Sequence, residues 1–175
     1  MTATARHGLA PAPPELRLTQ ELLNTAATSK QSPDEDLLGS LGQARSWLGE
    51  IRPNGPRLDE ADVLALRDLR ASVQRLVKGE EATLVGSVEL RIDAQDATAT
   101  PTGRGAGWLT AAIAAECLLA RALGTWPRLK LCRNERCPVA FYDCSRNASR
   151  VWHDVSTCGN AANVRAFRSR HQTFG

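Results

Sequence analysis

The chain has 175 residues, 42% hydrophobic and 23% charged, with a formal net charge of +3. That suits one domain, or one domain plus a small module, with enough apolar side chains for a core. No apolar run approaches the ~20 residues a membrane span requires, and the Ala/Pro/Thr-rich stretch Met1 to Pro14 lacks the apolar segment of a signal peptide, so a cytoplasmic protein with no membrane partner is expected.

Residues 1–15 read as a disordered lead-in. A first helix is expected from Leu16 to Ala27, with Leu16, Leu22, Leu23 and Ala26 on one face. The polar pair Asn24-Thr25 interrupts that apolar face. It either satisfies backbone groups or lines a pocket for a small-molecule effector. Ser32, Pro33 and Glu35 have the spacing of an N-cap, a first-turn proline and a capping box. They predict a second helix through Leu37, Leu38, Leu41, Ala44, Trp47, Leu48 and Ile51, stopped by Pro53-Asn54-Gly55-Pro56. Asp59 opens a third helix, lined by Val63, Leu66, Leu69, Val73 and Leu76, and Gly79 ends it.

The period changes after Ala82. Thr83-Leu84-Val85 is a short apolar run, Gly86 marks a bend, and Ser87 to Ile92 alternates polar with apolar. With Asp96 to Thr100 as the return strand, this predicts a hairpin or small sheet. The glycines at 103, 105 and 107 form a turn that no Gly-Lys-Ser/Thr follows, so a phosphate loop is excluded. Trp108 to Leu123 is an Ala-rich helix expected at the centre of the core, with Cys117 as a core thiol.

The C-terminal segment carries the chemistry. Four of the five cysteines fall between Cys132 and Cys158, and clustered cysteines in a cytosolic chain argue for metal binding. Cys132 and Cys137 have four residues between them, as do His153 and Cys158. Two short-spaced pairs of thiolate and imidazole donors suit one tetrahedral Zn²⁺. Four protein ligands leave no place for water, so the metal is expected to be structural and the chain not an enzyme. Cys144 is a surplus thiol that competes with His153 for the fourth position. His7 and His171 have no pairing partner and are expected in solvent.

Charge is unevenly divided. Residues 1–127 hold 13 Lys/Arg and 16 Asp/Glu, whereas residues 128–175 hold 9 and 3. A basic module on a near-neutral body is a footprint for nucleic acid. A last helix from Ala161 to Gln172, capped by Asn160, presents Arg165, Arg168 and Arg170, and Arg146 and Arg150 extend the patch. Arginine suits bidentate contacts to phosphate or guanine.

The run Leu131-Cys132, Cys137, Phe141-Tyr142-Asp143-Cys144-Ser145-Arg146-Asn147, Arg150-Val151-Trp152-His153 and Cys158-Gly159-Asn160 resembles the CGNR zinc finger. The family pattern is two cysteines, then F-Y-D-x-S-R-N, R-x-W-C and C-G-N-R. Here His153 replaces the third cysteine, Ala161 stands where the final arginine is expected, and Cys144 stands where threonine is common. Upstream, Leu22-Leu23-Asn24-Thr25, Leu37-Leu38 and Trp47-Leu48 resemble the ABATE domain often fused to this finger, described as a stress-induced transcription regulator. The resemblance implies a bracing pair in Asp143 and Arg150, a contact residue in Arg146 and a packing role for Trp152.

The expected architecture is α+β. A mainly helical ABATE-like domain with a small hairpin spans 16–126, and a knuckle or treble-clef-like finger ending in a helix spans 127–175. The expected function is a zinc-dependent, bacterial DNA-binding regulator, nucleoid-associated, whose N-terminal domain senses a ligand or forms a homodimer. The alternative is a zinc-stabilised protein-interaction or RNA-binding module.

Overall fold

The structure, a computed structural model, describes residues 1–28, 35–160 and 164. The fold is α+β: the described residues form four α-helices and two separate two-stranded antiparallel hairpins. Among the described residues no helix is long and apolar enough to cross a membrane.

Helix α3 (Glu60–Lys78) forms as its signals dictate. Asp59 accepts the Asp62 amide, the Asp62 carboxylate accepts the Asp59 amide, and Gly79 closes the helix in the left-handed conformation. Val63, Leu66, Leu69 and Val73 bury one stripe. Asp62 also accepts the Ala106 amide at 2.8 Å, so one carboxylate serves the first turns of both α3 and α4 (Gly105–Ala122).

Helix α1 (Arg17–Leu23) is shorter than expected and has no cap from its own sequence. Glu116 of α4 supplies it, accepting from Leu18 N at 3.1 Å, Thr19 N at 2.8 Å and Thr19 Oγ1 at 2.7 Å. Burial pushes that carboxyl above its usual range, against these three donors.

Helix α2 spans Leu41–Ile51 and begins later than the sequence signals suggest. Ser32 and Pro33 lie outside the described residues, and the observed N-cap is Ser40, whose Oγ accepts Gln43 N at 3.3 Å. Leu37 and Leu38 precede the helix because α3 holds their turn in another shape. Arg67 donates to the Leu38 and Gly39 carbonyls, and Arg70 pairs with Asp36 at 2.8 Å. Leu38 remains fully buried.

Helix α4 packs against the other elements, but its last turns are not central. Leu118, Leu119 and Leu123 are exposed at 72, 49 and 60%. Cys117 is the buried thiol expected, pushed up to about 11 by burial and the adjacent Glu116. The chain crosses α4 closely at Gly86, where a Cβ would lie 2.4 Å from Ala111 Cα; only glycine over alanine allows that approach. Beyond it, β1 (Val88–Ile92) pairs with β2 (Ala97–Pro101) in the register Val88 to Pro101.

The expected disordered lead-in is instead packed. Ala3 and Ala12 are buried, the Met1 ammonium meets Glu50 at 2.9 Å, and Arg6 donates to the carbonyls of Asn24, Ala26 and Glu35. His7 is half-buried rather than in solvent, and His171 lies outside the described residues.

The C-terminal hairpin joins the same core. Strands β3 (Leu129–Leu131) and β4 (Ala140–Tyr142) pair antiparallel, and Leu129 and Ala140 are buried within the cluster formed by α1 to α4. Asn24 locks the contact. Its Oδ1 accepts the Ala140 amide at 2.8 Å, and its Nδ2 donates to the Ala140 carbonyl at 3.0 Å. Thr25 Oγ1 donates to Leu22 O and accepts from Arg70. Both residues are buried and fully engaged, so neither lines an effector pocket.

Two outcomes follow. Asn24→Ala strands a buried amide and carbonyl at Ala140 and should cost about 2–4 kcal/mol in urea unfolding; a loss under about 0.5 kcal/mol would show that the clamp is not structural. Burial and the neighbouring Arg6 hold His7 down to about 4 from 6.5. The folded state therefore resists protonation that the unfolded chain accepts, so stability is complete above about pH 6.5 and falls toward pH 4. His7→Gln should flatten the part of that decline that wild type shows in excess.

Candidate metal centre

The hairpin places the first ligand pair. Cys132 follows β3 directly, its amide donating to Val139 O at 2.9 Å, and the Cys137 amide closes a tight turn onto Asn134 O at 2.7 Å. The second pair comes from beyond the Ser145–Arg150 loop. Arg133 N donates to Val151 O at 2.9 Å, drawing that strand of chain alongside the first knuckle. Asp154 then caps a single wide helical turn, Val155–Gly159, accepting Ser156 N through Oδ1 at 2.7 Å. That turn carries Cys158 inward to 7% exposure.

One donor atom from each of Cys132, Cys137, His153 and Cys158 lies within 4.8 Å of every other. Tetrahedral zinc, with bonds of about 2.3 Å to sulfur and 2.0–2.1 Å to nitrogen, sets a sulfur and a nitrogen about 3.5 Å apart. Cys137 Sγ lies 3.5 Å from His153 Nδ1. Three sulfurs and one imidazole nitrogen thus form a site able to bind one zinc ion. Asn134 Nδ2 donates to Cys158 Sγ at 3.3 Å, a hydrogen bond that orients the sulfur. The thiols are already unequal. Cys132 is held far below the ordinary thiol range by hydrogen bonds from Cys137 and His153, while the shared proton and burial push Cys137 up.

Cys144 lies outside this cluster. It is exposed, and its thiol faces the Tyr142 carbonyl at 3.9 Å. The fourth position belongs to His153.

Asp143 organises the loop between the ligand pairs. It is fully buried. Its Oδ2 accepts Lys130 Nζ and Arg150 N, each at 2.8 Å, and its Oδ1 accepts Ser145 N at 2.9 Å. Burial alone would raise this carboxyl, but Lys130 and the donors from Ser145 and Arg150 outweigh it and hold it well below the usual carboxylate range. The expected Asp143–Arg150 brace is real but runs through the Arg150 backbone, and the charge partner is Lys130. The Arg150 guanidinium donates to His153 O at 2.8 Å and lies over the Phe141 ring at 5.3 Å. Lys130 also donates to the carbonyls of Ala148 and Arg150. Ala148 sits at φ 47°, a strained conformation for alanine that these contacts hold in place.

Trp152 packs, as expected. A Cβ on Gly159 would meet its Cδ1 at 3.3 Å, so the indole edge lies on the glycine beside the last ligand. Arg146 is exposed. Arg165, Arg168 and Arg170, with most of the expected last helix, lie outside the described residues. Sequence reading missed Asn134 and Lys130. Asn134 had a signal, a polar amide inside the Cys132–Cys137 knuckle; Lys130 had none, because only the pairing of β3 with β4 brings it to Asp143.

A family model described as the CGNR zinc finger matches residues 128–171. No curated protein matches the chain.

Loading with Co²⁺ separates the two candidates for the fourth ligand. His153→Ala should weaken metal binding by more than about 100-fold and alter the tetrahedral visible bands. Cys144→Ser should leave both unchanged, and the reverse pattern would reassign the ligand.

Proposed function

We propose that this chain is a zinc-dependent DNA-binding transcription regulator. The observation carrying this reading is a Cys₃His centre inside the segment that concentrates 9 Lys/Arg against 3 Asp/Glu. Zinc would tie the Cys132–Cys137 knuckle to His153 and Cys158, adding to the hydrogen bonds that already join the two stretches, and so act as a folding element of the finger. Four protein ligands fill a tetrahedral shell, which supports a structural metal and argues against an enzyme. The arginines at 146, 165, 168 and 170 are the candidate DNA contacts. Arg150 braces the loop first, with its remaining donors free to meet a phosphate. We read residues 16–126 as an ABATE-like domain serving a stress response by sensing a ligand or forming a homodimer, and the protein as cytoplasmic and nucleoid-associated.

One observation favours a second reading, a zinc-stabilised protein-interaction or RNA-binding module. Lys130 and much of Arg150 are spent inside the finger, and Ala161 stands where the family has arginine. Few cations are left to read base edges.

Anisotropy titrations of zinc-loaded protein against duplex fragments over a salt series decide between them. DNA binding should weaken with a slope of about 0.9 per phosphate neutralised. Arg165→Ala/Arg168→Ala should lower that slope by about two and Arg146→Ala by about one. Wild-type protein that fails to bind near 0.1 M salt, about one Debye length of 10 Å, or that binds equally well after chelation, would leave the second reading.

A further inference from the structure

A cleft of about 790 Å³ lies between the C-terminal half of α3 and the Cys132–Cys137 knuckle. Its volume falls within the range of about 300–1,000 Å³ typical of small-molecule sites. Val77, Leu131 and Val151 give it apolar surface, and Lys78 stands on one wall facing Arg133 and Arg136 on the other. In all, five basic side chains and one acidic one line it. Lys130 and Arg150 are occupied within the finger. Among the described residues Arg133 and Arg136 have no ion-pair partner, and Lys78 has only a 4.0 Å contact to the exposed Glu80. Two arginines and a lysine thus line a partly apolar hollow in which Glu135 is the one carboxylate.

We propose that this cleft binds a small organic anion with a flat apolar body, its acidic group held by Arg133 and Arg136 and its body lying on Val77, Leu131 and Val151. Guanidinium forks suit a carboxylate, phosphate or sulfonate. The apolar surface would be wasted on a bare inorganic ion, and the volume exceeds what one requires. The site differs from the pocket that is one of two sequence readings of Asn24-Thr25, a pair the fold engages in hydrogen bonds. It does not depend on DNA binding. Because Cys132 and Cys137 also border the cleft, an occupant would touch the metal centre from the side of the N-terminal body.

The probe is 1-anilinonaphthalene-8-sulfonate, titrated by fluorescence into the zinc-loaded full chain, with neutral N-phenyl-1-naphthylamine beside it. Saturable binding of one dye per chain is expected, with the neutral amine much weaker. Arg133→Ala/Arg136→Ala should weaken the dye about tenfold or more, since each charge-assisted contact is worth roughly that. Lys78→Glu, on the opposite wall, should weaken it too. Unchanged Co²⁺ bands in each variant establish that the knuckle is intact. Non-saturable binding, equal affinity in wild type and the arginine variant, no effect of Lys78→Glu, or a signal seen only after metal removal would each overturn the site.

Discussion

Among the described residues, one buried amide, that of Asn24, clamps the finger to the body by answering both backbone groups of one strand residue. Asn24 accepts from and donates to Ala140, as a neighbouring strand would. This matters because β3 and β4 are only three residues long each, and an isolated two-stranded hairpin of that size is unstable in water. Burial of Leu129 and Ala140 against the helices, together with the Asn24 clamp, gives the hairpin its fixed place. The first ligand pair inherits that placement, since Cys132 follows one strand and Cys137 precedes the other.

A second buried polar unit sets the rest of the centre. The Asp143 carboxylate gathers Lys130, Ser145 and Arg150, and so shapes the loop that returns the chain to His153. A buried charge is tolerable only when paired and hydrogen-bonded, and here all its donors come from the finger itself. The metal centre therefore rests on two independent supports, one reaching to the body and one internal, before any ion contributes. Zinc would then add the covalent-strength link between Cys132/Cys137 and His153/Cys158.

The same packing creates the basic cleft. Had the finger been a module on a flexible tether, α3 and the knuckle would share no fixed surface. Because the hairpin is part of the core, Lys78 from the body and Arg133 and Arg136 from the finger face one another across a defined gap. Electrostatics that looked, in sequence, like a uniformly basic tail are divided between cations spent on structure and cations left for a ligand.

The four metal ligands and the presence of the main helices are legible from local sequence. Ligand type and spacing are local facts: a thiolate or imidazole every few residues can close a tight turn around an ion whatever the surroundings, and Asp59 and Gly79 bound α3 through their own backbone chemistry. Features whose partners lie far along the chain could be read from the fold alone. Glu116 caps α1 from about a hundred residues away, Arg67 and Arg70 reshape the turn before α2, and the Ala/Pro-rich N-terminus packs because Glu21, Asn24 and Glu50 receive it. The role of Asn24 was open for the same reason. An amide on a helix can line a pocket or replace a strand, and the choice is made by Ala140, 116 positions later in the chain.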